Sequence, residues 1–272
     1  MSDKNKNSWN AGAEAYSAFN HSEKLMDRIV ENPANAFHHT TWDIIKKYVP
    51  DLRGKTICVP SSGDNHAVFA FAMLGARVTS CDISENQLAN AERIARKYGW
   101  DQSIEFICAD TMKLDGIADG AYDFVYTSNG VHVWIDDLYG MYDNINRIIK
   151  PGGVYIMYEI HPFQRPFNDN AKIIKPYDMT GPFESDIEIT FGWRVMDIMN
   201  ALMDSGLIIR HIEEMFAEKD YDWPFFISYS DIAKGVTATR EEVDLMYDWH
   251  NNPMAALPNW INIAAVKSWG AI

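Results

Sequence analysis

The sequence predicts an α/β protein with a Rossmann-like, doubly wound sheet of seven mostly parallel strands and an antiparallel last strand. N-terminal helices and an inserted cap accompany the sheet. Three observations predict this. From residue 54 onward, short apolar runs rich in β-branched residues alternate with helical segments, the pattern of βαβ units with right-handed crossovers. One run ends on Asp82 and is followed at once by Ser84, a good helix N-cap. The terminator Lys150-Pro-Gly-Gly153 then separates a helix from another apolar run.

The elements follow in order. Residues 1–50 read as polar-faced helices with Trp9, Tyr16, Phe19, Leu25, Met26, Ile29 and Val30 as apolar points; Pro33 interrupts them. A further helix spans His38–Tyr48 and stops before Pro50. Thr56–Val59 is the first strand, Pro60–Asn65 a turn, and Ala67–Leu74 an apolar helix far too short to span a membrane. The next pair is the strand Ala76–Cys81 and the helix Glu85–Tyr98. Ile104–Cys108 and Tyr122–Thr127 are the third and fourth strands, Leu138–Ile149 a helix, and Val154–Ile160 the fifth strand. Trp193–Ser205 reads as an amphipathic helix, Leu207–Glu213 and Trp260–Val266 as late strands, and Thr239–His250 as a helix with a capping box at Thr239 and Glu242. The domain reading is a helical cap over 1–53, a core over 54–163, a Pro- and aromatic-rich lid over 164–192, and completion of the core over 193–272.

The 272 residues carry 24 Lys and Arg against 38 Asp and Glu, a net charge of −14. Such a surface repels phosphate backbones and anionic lipid, so nucleic acid and membrane partners are not expected. Cys58, Cys81 and Cys108 are too few and too widely spaced for a disulfide framework and read as small core residues. No apolar run near Met1 resembles a secretory signal, and a cytoplasmic location is expected. Adjacent His38 and His39 cannot share one helical face, so no metal site is expected there.

In parallel sheets of this kind, ligands bind beyond the carboxyl ends of the strands. In the first turn, Gly63 lets the backbone approach a ligand, and Ser61 and Ser62 add hydroxyls. Asp82 lies 19 residues beyond Gly63, close to the spacing at which a carboxylate meets a ribose diol. Asp110 ends the third strand and can accept from an exocyclic amine, with Ile83 and Met112 as apolar faces for a ring.

At these positions the chain resembles the class I S-adenosylmethionine (SAM)-dependent methyltransferases, in particular the small-molecule group. The resemblance lies in Thr56–Ser84, Phe106–Met112 and Tyr122–Phe163. It is most specific in Tyr122-Asp-Phe-Val-Tyr126 with Lys150-Pro-Gly-Gly153, while Glu159–Phe163 is similar to a bacterial subgroup. It implies that Ser61, Ser62, Gly63, Asp64 and Asn65 cradle the methionine part of SAM. Asp82 would hold the ribose, Asp110 with Thr111 or Met112 the adenine, and Ser128 and Asn129 would line the channel near the sulfonium. The chain departs from the family pattern in having Val59 where an acid is usual, and Ser61 and Asn65 where glycines are usual.

His132, Glu159 and His161 fall just beyond the fourth and fifth strands and are the candidates for base or acceptor-orienting group. Tyr16, Phe19, Phe163, Tyr177 and Trp193, in the cap and lid and at the lid's end, are the expected aromatic lining of an acceptor pocket, as are Trp223, Phe225 and Phe226. The other use of such aromatics is a homodimer interface. The expected reaction is methyl transfer to N or O of a small, neutral or cationic metabolite. Two other readings compete: a non-catalytic SAM- or nucleoside-binding protein, and a nicotinamide-dependent oxidoreductase, which the missing glycine fingerprint and missing Tyr-x-x-x-Lys pair disfavour.

Overall fold

In the computed structural model, the described residues are 3–168, 171–216, 241, 244, 245 and 247–269. The seven strands of the main sheet are β1 (Thr56–Pro60), β2 (Arg77–Asp82), β3 (Ile104–Cys108), β4 (Tyr122–Ser128), β5 (Ile149–Ile160), β8 (Leu207–Met215) and β9 (Trp260–Lys267). Their spatial order is β3-β2-β1-β4-β5-β9-β8. The first five strands pair in parallel, and β9 runs antiparallel between β5 and β8. The order reverses between β1 and β4, which places the switch point over the tips of those two strands.

Strand periodicity sorts the core onto two faces. Ile57, Val59, Tyr126, Ile156 and Tyr158 face one side, where they pack with α3 (His39–Tyr48), α4 (His66–Met73) and α5 (Glu85–Tyr98). Cys58, Val125, Tyr155 and Met157 face the other, against α6 (Leu138–Ile148) and α7 (Val195–Asp204). The helices start where the sequence offers caps. Asn65 Oδ1 accepts from the Ala67 amide at 2.8 Å, Ser84 Oγ from Gln87 at 3.2 Å, and Asp137 Oδ1 from Gly140 at 2.9 Å. Gly99 ends α5 in the left-handed conformation, φ 76°.

The N-terminal region forms α1 (Asp3–Asn20) and α2 (Glu23–Glu31), followed by a short 3-10 turn that begins at Pro33. Helix α1 lies along α5, where Asn90 Nδ2 donates to the Ala13 carbonyl at 3.1 Å. The inserted segment contains a two-residue hairpin, β6 (Phe183–Glu184) and β7 (Ile189–Thr190). Helix α1 clasps it: Lys4 Nζ meets Glu184 at 2.6 Å, Asn5 Nδ2 donates to the Ile189 carbonyl at 2.8 Å, and the Ile189 amide donates to Asn5 Oδ1 at 2.7 Å.

Three expectations are corrected. Lys150-Pro-Gly-Gly153 is no loop: the chain passes from α6 directly into β5, and the tetrapeptide lies inside the strand, where the register against β4 shifts between Tyr122 and Phe124. Cys108 is exposed, because it ends the edge strand β3, whereas Cys58 and Cys81 are buried. Helix α7 begins at Val195, not Trp193, because Arg194 and Asp197 cap each other there. Trp223, Phe225, Phe226 and the start of the helix expected over Thr239–His250 lie outside the described residues.

Candidate functional site at the strand tips

The turn after β1 is built from left-handed residues. Ser61 has φ 49° and Gly63 φ 50°, and the first is uncommon for a residue with a side chain. Ser61 Oγ is held by Thr111 Oγ1 at 2.7 Å, beyond the tip of β3. Ser62 Oγ bonds Ser80 Oγ at 2.7 Å and donates to the Cys81 carbonyl at 3.1 Å, tying the turn to β2. Asn65 Nδ2 donates to Ser128 Oγ at 2.6 Å, tying it to β4. The two residues that replace the usual glycines are therefore the ones that link this turn to the tips of β3 and β4, on either side of it.

Asp82 completes the cradle. Its carboxylate accepts from the Gly63 amide at 2.8 Å and from the Ser84 amide at 2.8 Å. Burial and the nearby Asp64 push its pKa up to about 6, against the pull of those two amides. Each oxygen keeps acceptor capacity beyond the amide it holds. On the neighbouring strand Cys108 pairs with Asp82, which sets Asp110 two residues further along the adjacent tip. Asp110 Oδ1 accepts from the Met112 amide at 3.1 Å, Met112 packs in the core, and Ile83 is half-buried between the two acids in sequence.

Two buried side chains at this turn have polar atoms without a hydrogen bond among the described residues: both oxygens of Asp64, and Oε1 and Nε2 of Gln87. Asp64 lies 3.2 Å from His21 Nε2, a contact without hydrogen-bond alignment. Gln87 Oε1 would sit 3.5 Å from a Cβ added at Gly63, so its amide borders the turn. Orphaned buried polar atoms are costly unless a ligand satisfies them. His66, beside this group, is pushed down to about 4 by burial and by His21, and Nε2 meets the Asn20 carbonyl at 2.7 Å.

Beyond β4, Ser128 is buried and Asn129 is exposed with φ 52°; the Asn129 amide donates to the Tyr158 carbonyl at 2.6 Å. The following loop is organised by Glu159. Its Oε1 accepts from the amides of Gly130 (2.7 Å) and Ile160 (2.8 Å), and its Oε2 from those of Val131 (2.8 Å) and His132 (3.1 Å). His132 Nδ1 reaches the same Oε2 at 2.9 Å, while its Nε2 meets Tyr142 Oη at 2.7 Å. Burial alone would raise Glu159; the hydrogen bond and charge of His132, and the charge of Arg165, hold it instead at about 2. His161 is also fully engaged: Nδ1 accepts from the Phe163 amide at 3.2 Å and Nε2 meets Glu214 on β8 at 3.1 Å.

The aromatic residues join cap to loop. Tyr16 packs on Trp9 at 5.7 Å, and Trp9 on Trp134 of the loop after β4 at 5.2 Å. Phe163 packs on Tyr177 at 5.2 Å, and Tyr177 Oη accepts from the Val195 amide at 3.0 Å. Trp193 stacks on Phe191 and donates Nε1–H to the Ile135 carbonyl at 2.8 Å. Phe19 is half-buried on α1, and Phe163 is 40% exposed, in the 3-10 turn Pro162–Gln164 after β5.

The turn and the two acids thus come together at adjacent tips, with Ser128 alongside, while His161 turns toward β8. Sequence reasoning missed Gln87, one turn into a helix, and Asn10, whose Oδ1 accepts from Ser84 Oγ at 2.6 Å. It also missed Arg165. Trp9 is visible in the sequence only as an apolar point.

Comparison with known proteins bears on the fold and on what the chain is similar to. Residues 60–157 match the model of a methyltransferase domain family. A sterol 24-C-methyltransferase of Gibberella zeae is 28% identical over 156 residues, covering 56% of this chain and 39% of that protein. The Saccharomyces cerevisiae enzyme of the same name is 32% identical over 89 residues, 31% of this chain and 23% of that protein. The chain therefore spans less than half the length of these curated relatives. A SAM-dependent methyltransferase structure from Mesorhizobium loti superposes with a TM-score of 0.62 at 21% identity, covering 83% of this chain and 97% of that one. A geranyl diphosphate C-methyltransferase from Streptomyces coelicolor gives 0.56 at 15% identity, covering 83% and 75%. These two share the fold.

Proposed function

We propose, from the premise that residues 60–157 are a class I SAM-dependent methyltransferase domain, that the protein transfers a methyl group from SAM to a small-molecule acceptor held between the strand tips and the lid. The observation that carries this reading is the Asp82–Gly63 contact at 2.8 Å, which makes the first turn and the tip of β2 one cradle. Asp82 retains acceptor capacity for a ribose diol, and Asp110 with Thr111 and Met112 borders the adjacent tip for the adenine. Ser61–Asn65 border the methionine part. The Asp64 carboxylate, which has a 3.2 Å contact with His21 but no hydrogen bond, suits its ammonium, and the Gln87 amide, without a hydrogen bond, suits a hydroxyl.

When bound, SAM supplies a methyl carbon on a sulfonium that is open to in-line attack by a nucleophile. The chain's own residues supply position. Ser128 and Asn129 line the channel toward the acceptor. Glu159 and His132 are positioning residues that fix the loop from Gly130 to Ile135. The lid and α1 exclude water, and holding the acceptor close supplies much of the acceleration. His132 and His161 spend their ring nitrogens on the protein, so proton removal is not their role in this arrangement of the loop. The relatives' names widen the acceptor atom from N or O to a carbon nucleophile. Among the described residues no helix is long and apolar enough to cross a membrane, and no cluster of His, Cys, Asp or Glu could hold a metal.

Calorimetry with SAM and with its demethylated product, S-adenosylhomocysteine, tests the reading. Both are expected to bind, and Asp82→Ala is expected to weaken both at least about tenfold, the value of a charged hydrogen-bond pair. Absence of binding at millimolar ligand would end the reading. Binding without turnover across a broad acceptor panel would favour a non-catalytic SAM-binding protein.

A further inference from the structure

We propose that Arg165 and Lys175 bind an oxyanion carried by the methyl acceptor, a carboxylate or a phosphate, beneath the inserted lid. What the anion is attached to rests on the methyltransferase reading; the anion site itself rests on the following geometry.

Arg165 stands just past the tip of β5, after the short 3-10 turn Pro162–Gln164. Its side chain is 23% exposed, and its nearest carboxylate, Glu159 Oε1, is 3.9 Å away. That distance is too long for a hydrogen bond. Glu159 has no need of it, because its two oxygens already accept from Gly130, Ile160, Val131 and His132. Among the described residues the guanidinium donates no hydrogen bond. An arginine offers five N–H donors in a planar fork suited to bidentate oxyanions, and here, among the described residues, the fork has only the long ion-pair contact with Glu159.

Lys175 lies half-buried in the lid with Nζ 3.6 Å from the centre of the Phe183 ring. Among the described residues it has no carboxylate within ion-pair distance. The Ile174 amide donates to the Pro166 carbonyl at 2.8 Å and Phe167 bridges Ile173 in antiparallel fashion, which brings the segments carrying Arg165 and Lys175 side by side. Burial and the charge of Arg165 lower the Lys175 pKa. Gly192 leaves space beside it: a Cβ there would come within 3.7 Å of Nζ. Two partly desolvated cations on neighbouring segments repel, and an anion bound between them would offset that repulsion. Phe183 and the Phe163–Tyr177 pair offer apolar surface nearby.

The site therefore fits a small amphipathic acceptor with an apolar body and an anionic head. This departs from the neutral or cationic acceptor expected from the sequence. The overall charge is a property of the whole surface, whereas recognition is set by the charges at the strand tips.

The test titrates malonate, inorganic phosphate and pyrophosphate into the full chain by calorimetry, with and without saturating S-adenosylhomocysteine. At least one anion should bind saturably, and the preferred one distinguishes carboxylate from phosphate. Lys175→Met and Arg165→Gln should each weaken it tenfold or more, and Arg165→Lys should recover only part of the loss, while S-adenosylhomocysteine affinity stays unchanged. If Arg165→Gln fails to fold, Lys175→Met carries the test alone. No saturable binding of any of the three anions, or equal binding by the variants, would overturn the proposal. Failure of S-adenosylhomocysteine to bind would instead overturn the cofactor reading, and the titration without it would still decide the anion site.

Discussion

Glu159 shows how a residue can be located from sequence while its work is not. Glu159 was expected just beyond the fifth strand and is instead the penultimate residue of β5, paired with Ile261 of β9; the cost of burying it alone was legible. That it feeds four backbone amides and His132 depends on the path of the loop after β4, which no local pattern encodes. The acids at the tips of β2 and β3 were legible because strand length and spacing fix them. Gln87 was not, because a glutamine in the first turn of a helix reads as solvated surface. Glu159→Ala is expected to cost about 3 kcal/mol or more, since it strands buried amides and a histidine. Its folded pKa of about 2 lies below the ordinary 4.5, so its contribution is present above pH 4.5 and is lost as pH falls toward 2. Urea unfolding across that range should show a steeper acid loss for the native protein than for Glu159→Gln. Equal slopes would contradict this account of the carboxylate.

At the scale of elements, the helices and strands of the core came close to their expected bounds because caps and alternation are local signals. The Lys150-Pro-Gly-Gly153 segment did not, because proline and glycine mark an irregularity without saying whether a strand continues through it. The first turn is the more instructive element. Ser61 and Asn65 give up glycine's conformational freedom and gain side-chain links to Thr111 and Ser128. Asn65 does two tasks, capping α4 and bridging to β4. Asn65→Ala should therefore destabilise by about 1–2 kcal/mol, the upper part of the range for a lost cap. A double-mutant cycle with Ser128→Ala should reveal coupling between the two side chains in chemical denaturation. Strict additivity would mean that the bridge contributes nothing.

For the whole molecule, the class of fold and the edge of the sheet that carries the site followed from alternating strands and helices. How α1 meets the β6–β7 hairpin did not. Asn5 and Ile189 are 184 residues apart in sequence, and only the assembled sheet brings α1 onto the hairpin. Within the insertion, the local pairing of Phe167 with Ile173 brings the segments of Arg165 and Lys175 together, which composition averages away. What unites these scales is the Asp82 carboxylate at one strand tip, which we propose receives the ribose of the cofactor. The most direct measurement is the affinity for S-adenosylhomocysteine from pH 5 to 8, in the native protein and in Asp82→Asn. Asp82 titrates near 6, and the charged form is the better acceptor, so native affinity should fall as the solution is acidified through that value. The variant should bind more weakly and lose this dependence on pH. Identical affinities and identical profiles for the two proteins would contradict the assignment of Asp82 to the ligand.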